Sequence, residues 1–90
     1  MTKREGNDLT PGDVPVRSVD TLGLLCPLPI LRAAEAMRAV EAGHVIEILS
    51  DDSGILVDLP EWCEETGHLL IEIVPRGKHW RALVRKRPDA

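Results

Sequence analysis

Phenylalanine and tyrosine are absent from this chain of 90 residues, and its only tryptophans are Trp62 and Trp80. A core must therefore be assembled from Leu, Ile, Val and Ala, with the two indoles as its only large members. The same scarcity counts against single-stranded nucleic-acid binding, which relies on repeated aromatic stacking platforms. No apolar run approaches the ~18 residues that span a bilayer. Met1 to Asp8 is polar, unlike a signal peptide. These absences lead to the expectation of a cytoplasmic protein without a membrane association. The three histidines, His44, His68 and His79, are scattered and share no ordered short spacing with Cys, Asp or Glu. No phosphate-cradling glycine loop, dinucleotide fingerprint or acid–base pair of carboxylates is present. No metal and no cofactor are expected.

Ninety residues make one domain, and a chain this short buries only about 60–65% of its unfolded surface. The net charge is −4, which weighs against nucleic acid as a default partner. The charge is uneven. Between residues 16 and 75, Arg17, Arg32 and Arg38 face eleven acids, whereas residues 76–87 hold Arg76, Lys78, Arg81, Arg85, Lys86 and Arg87 and no acid. This run reads either as a solvated face with a frayed end or as a basic docking patch.

Residues 1–14 have little to bury and read as a flexible N-terminal tail; 15–87 read as the folded domain and 88–90 as a frayed end. Alternation at Val14 and Val16 gives a first strand over Val14 to Asp20. Thr21 to Leu25, with Gly23, forms a loop. Pro27 to Ala42 is the clearest helix, because Ile30, Ala33, Ala34, Met37 and Val40 recur at helical spacing. Gly43 stops it. Val45 to Leu49 is an apolar strand. Asp51, Asp52 and Ser53 offer capping oxygens for a second helix, which Pro60 interrupts or kinks before Glu61 to Thr66 continue it. Leu69 to Val74 and His79 to Arg85 are strands about a Pro75–Lys78 turn, with Trp80, Ala82 and Val84 on one face. The order β-α-β-α-β-β gives an α/β (α+β) two-layer sandwich: a four-stranded mixed sheet with two helices on one face and a terminal antiparallel hairpin.

The most informative stretch is Cys26-Pro27-Leu28-Pro29. Proline is favoured at the first helical position, which puts Cys26 at or beside a helix N-cap. A helix N-terminus carries roughly +0.5 of an elementary charge. A thiol there is expected to ionise more easily, and the thiolate is the nucleophile. The first free helical N–H groups are expected at Leu28 and Ile30, since Pro27 and Pro29 have none. On local chemistry alone, Cys26 reads equally as a small buried hydrophobe ahead of a helix. Cys63 reads as a packed residue on the second helix, or as a resolving thiol.

The run Asp20-Thr21-Leu22-Gly23-Leu24-Leu25-Cys26-Pro27-Leu28-Pro29 resembles the signature of the TusA (SirA-like) sulfur-carrier family. The resemblance continues through Asp51-Asp52, Pro60 and Cys63 to the Trp80–Lys86 strand, covering about residues 16–86. It implies a sulfurtransferase in which Cys26 accepts sulfane sulfur as a persulfide and relays it, as a carrier rather than a multi-turnover enzyme. Gly23, Pro27 and Pro29 support the motif. The resemblance further implies a donor protein, a cysteine desulfurase or rhodanese type, and an acceptor protein serving tRNA thiolation, molybdenum-cofactor assembly or sulfur oxidation. A monomer without direct nucleic-acid binding is expected. Leu25 departs from the basic residue that some members carry before the cysteine. Leu22, Leu24, Leu25 and Leu28, if exposed, would suit transient docking. The rival readings are a non-catalytic interaction module on the same fold, a Cys26/Cys63 redox protein, and RNA binding through the basic C-terminal strand.

Overall fold

A computed structural model describes residues 13–88. The expected flexible tail at 1–14 and frayed end at 88–90 lie outside this span except for Asp13, Val14 and Pro88. The elements run β1 (Arg17–Asp20), α1 (Leu28–Arg38), β2 (Val45–Ser50), α2 (Ile55–Thr66), β3 (Leu69–Arg76) and β4 (His79–Arg85). The sheet order is β1-β2-β4-β3. β1 is parallel to β2, and β4 runs antiparallel to both β2 and β3. The two-layer architecture expected from the element order is the one observed.

The core lies between the sheet and the helices. Ala33, Met37, Ile46, Ile48, Leu59, Ala82 and Val84 are buried there, and Trp62 and Trp80 pack against them. Small alanines on α1 let that helix approach the branched side chains of β2. Trp80, Ala82 and Val84 share the core-facing side of β4, as the period of two requires. On the opposite face Glu47 accepts hydrogen bonds from Ser18 (2.7 Å) and Arg81 (2.6 Å), and Arg81 also approaches Glu72 at 3.5 Å. Burial pushes the Glu47 carboxyl up, but the Arg81 and Ser18 hydrogen bonds prevail and hold it below its usual range.

Four local expectations need correction. Val14 and Val16 are both 56% exposed, so their alternation does not mark a buried face. Val16 N–H still donates to Val45 O (2.8 Å), but regular pairing starts at Arg17. α1 ends at Arg38, four residues before Ala42, and a turn carries the chain to Gly43, whose φ is +87°. Finally, Pro60 does not break α2. The N–H it lacks would have paired with the carbonyl of Leu56, a residue 44% exposed to solvent. Pro75 likewise lies within β3 rather than in the turn, on an edge strand where a missing donor is tolerated.

The C-terminal part of the basic run is tied into the fold. Arg81 pairs with Glu47. Arg85 bonds Asp13 and the Gly43 carbonyl, Lys86 Nζ donates to Val40 O (2.7 Å), and Arg87 donates to Thr66 O (2.6 Å). Arg76 and Lys78 of the same run are exposed.

Leu59 is fully buried at the centre of the helix–sheet contact. Replacing it with Ala is expected to cost about 3 kcal/mol, read as a lower urea midpoint with little change in m-value.

Candidate functional site

Thr21 anchors the loop that carries the cysteine. Its side chain is fully buried, and both its hydroxyl (2.5 Å) and its N–H (2.9 Å) donate to the Leu49 carbonyl. Its own carbonyl accepts from Leu24 N–H (3.1 Å), closing a turn. Leu22 N–H donates to Asp20 Oδ1 at 3.0 Å. Gly23 adopts a φ of +84°, in the left-handed region, although a Cβ there would meet nothing within 4 Å. The glycine is required by the backbone conformation, not by space.

Two acids from the β2–α2 loop hold this turn in place. Asp51 Oδ1 accepts from Gly23 N–H (3.0 Å), and Asp52 Oδ2 accepts from Cys26 N–H (2.7 Å). Neither carboxylate is a helix N-cap, contrary to the sequence reading. Gly54 occupies that position and no side chain caps α2; Asp52 Oδ1 does receive the Gly54 N–H at 3.3 Å. The acids are thus spent on the neighbouring loop. Gly54 at the start of α2 lies against the cysteine, for a Cβ there would sit in ordinary contact, 3.4 Å from Cys26 Cβ.

Cys26 is exposed and immediately precedes Pro27, the N-cap of α1; the Cys26–Pro27 peptide is cis. The placement beside the N-cap agrees with the sequence. Its electrostatic consequence does not. The Leu28 and Ile30 N–H groups are occupied by the carbonyls of Leu25 (2.9 Å) and Pro27 (3.1 Å). The thiol instead donates to Asp58 Oδ2 on the first turns of α2. That hydrogen bond holds the thiol above its ordinary pKa, and desolvation and the charges of Asp58 and Asp52 push the same way. A carboxylate acceptor in contact outweighs the helix-end dipole because it is a full charge at shorter range.

Beside the thiol lies an open groove of about 240 Å³ lined by Cys26, Pro27, Ile30, Asp58, Glu61, Trp62 and Glu65. No histidine lines it, so the groove offers no Cys–His pair. Pro29, in the first turn of α1, is buried, while Pro27 is exposed. Leu22, Leu25 and Leu28 are exposed, at 42%, 70% and 42%, and Leu24 is half-buried. The thiol therefore sits among apolar side chains with an acidic wall on the α2 side. A larger cavity of about 450 Å³, lined by Ala34, Met37, Trp62, His68 and Arg87 among others, does not include the thiol. His68 there accepts the Arg87 N–H at 3.1 Å and tilts against Trp62. Burial, followed by the Arg87 and Lys86 charges, lowers its pKa.

Cys63 is buried in the core, and burial pushes its thiol up to about 11. Among the described residues, no group of three or more His, Cys, Asp and Glu could hold a metal ion. No described helix is long and apolar enough to cross a membrane. Sequence reasoning missed Asp58 as a partner of the thiol. Its only local signal was an acid early in the second helix; the contact itself depends on how the two loops are joined.

Residues 17–86 match the family model described as Sulfurtransferase TusA. A putative sulfur carrier protein from Archaeoglobus fulgidus is 38% identical over 68 residues, covering 76% of this chain and 93% of the relative. The sulfur carrier protein TusA of Allochromatium vinosum is 34% identical over 70 residues, covering 78% and 92%. Among solved structures, a SirA-like protein from Desulfitobacterium hafniense superposes with a TM-score of 0.70 at 26% identity, covering 79% of this chain and 97% of that one.

In the folded protein iodoacetamide is expected to modify Cys26 and spare Cys63, with both modified in denaturant; peptide mass mapping reads the result. Gly23→Ala is expected to cost about 1 kcal/mol through its positive φ, measured by chemical denaturation.

Proposed function

This chain belongs to the TusA sulfurtransferase family, and from that premise we propose that residues 15–87 form a carrier domain whose Cys26 takes up sulfane sulfur as a persulfide and relays it between proteins. The family is one of sulfur carriers, so donors and acceptors of sulfur are its general class of partner. The finer reading is that a cysteine desulfurase or a rhodanese-type protein loads Cys26, and that an acceptor protein unloads it. The onward use would be tRNA thiolation, molybdenum-cofactor assembly or sulfur oxidation. In this reading the chain acts as a stoichiometric carrier in the cytoplasm and needs no cofactor.

The observation that carries the reading is the exposure of the Cys26 thiol on a rigidly held loop among exposed leucines. Relay requires that two partners reach one sulfur in turn. An exposed thiol on a fixed backbone permits that, and exposed apolar side chains suit contacts that form and release. A Cys26/Cys63 redox couple draws less support, because Cys63 is buried and its thiol is held protonated.

Incubation with a cysteine desulfurase and cysteine, followed by intact mass spectrometry without reductant, tests the proposal. The expected result is a reducible gain of one sulfur, about 32 Da, in the wild type and in Cys63→Ser but not in Cys26→Ser. No gain from this donor or from a rhodanese with thiosulfate would favour an interaction module. A loss of two hydrogens that needs both cysteines would favour the redox reading.

A further inference from the structure

We propose that Asp58 is the proton acceptor for Cys26 during sulfur uptake, so that the thiol is kept neutral at rest and loses its proton to Asp58 only as it attacks a persulfide. The inference rests on the reading of Cys26 as the sulfur-accepting thiol and adds a second catalytic residue to it.

The geometry is specific. Cys26 Sγ donates to Asp58 Oδ2, and among the described residues this is the one hydrogen bond recorded for the Asp58 side chain. The bond is possible because Cys26 is fixed from behind. Asp52 holds its backbone N–H, Asp51 holds Gly23, and Gly54 at the start of α2 lies beside it. Asp58 lies on the groove wall, so an incoming persulfide meets the sulfur and the carboxylate together. The other acids near the thiol act differently. Asp52 is committed to backbone N–H groups, while Glu61 and Glu65 line the groove without bonding the sulfur.

The uptake step balances without a further reactant. As Cys26 Sγ attacks the terminal sulfur of a donor persulfide, its proton passes to Asp58 Oδ2. The new Sγ–S bond forms and the donor S–S bond breaks, its electron pair leaving on the donor's inner sulfur. The proton on Asp58 then neutralises that thiolate. A thiol and a persulfide become a persulfide and a thiol, and one sulfane sulfur moves with no net oxidation or reduction. In the free protein, the same hydrogen bond keeps the sulfur in the less nucleophilic neutral form.

The two roles make opposite predictions for one substitution. Iodoacetamide alkylation of Cys26 is followed against pH in a Cys63→Ser background, and sulfur uptake from glutathione persulfide is followed at neutral pH by mass spectrometry. In Asp58→Asn the alkylation midpoint moves to lower pH, since the acceptor charge is gone. Uptake nonetheless slows, on the order of tenfold or more, as expected on losing a general acid–base group. Asp58→Ala behaves alike, and far-UV circular dichroism confirms that both variants are folded. If uptake becomes faster along with alkylation, Asp58 is only an electrostatic brake and the proposal falls. It also falls if neither rate changes, or if uptake slows while the alkylation midpoint stays fixed. Should no protein donor load Cys26, the carrier reading fails on its own, because both assays here use small molecules.

Discussion

The arrangement around the thiol depends on two carboxylates that reach across from one loop to another. Asp51 and Asp52 accept the backbone N–H groups of Gly23 and Cys26. Charged acceptors make stronger hydrogen bonds than neutral ones, and here they bond the backbone, so the position of the cysteine does not depend on flexible side-chain pairs. Thr21 fixes the other end of the loop on β2 through two bonds to one carbonyl. The parallel β1–β2 pair brings both loops to the same end of the sheet. In open sheets with such connections, ligand and reaction sites collect beyond the carboxyl ends of parallel strands.

That clamp has an electrostatic cost with chemical use. Bringing Asp52 and Asp58 to the cysteine opposes ionisation, although the thiol stands next to a helix N-terminus. The N-terminal N–H groups are already taken by carbonyls of the preceding turn, which leaves the nearby acids to decide the sign. A carrier that must wait between partners benefits from a quiet thiol.

Much of the fold was legible from periodicity and punctuation. Gly43, Gly67 and the Gly77–Lys78 turn sit where chain reversals occur, and Trp80, Ala82 and Val84 marked the inner face of β4 because strand alternation is strict. Cys26 beside an N-cap was legible because Pro27 and Pro29 signal a helix start. Val14 and Val16 misled, because alternation reports burial only when a layer covers the strand, and both stay exposed. The continuation of α2 through Glu61 to Thr66 was legible, and Pro60 is accommodated within the helix where the carbonyl left without its partner belongs to the exposed Leu56. Asp51 and Asp52 looked like caps since capping residues and loop clamps have the same composition. The Cys26–Asp58 contact, 32 positions apart in sequence, left no local trace. It arises from the joining of two loops, and it reversed the expected direction of the thiol pKa.

The central claim is that this exposed thiol, on a clamped loop, is held neutral by its acidic neighbours. The most direct test is the ¹³Cβ chemical shift of Cys26, followed by NMR against pH in protein labelled with ¹³C-cysteine. A midpoint above the ordinary thiol range, moving to lower pH in Asp58→Asn, is the result the account predicts. A midpoint below neutrality would show that the helix end governs the sulfur, and would contradict it.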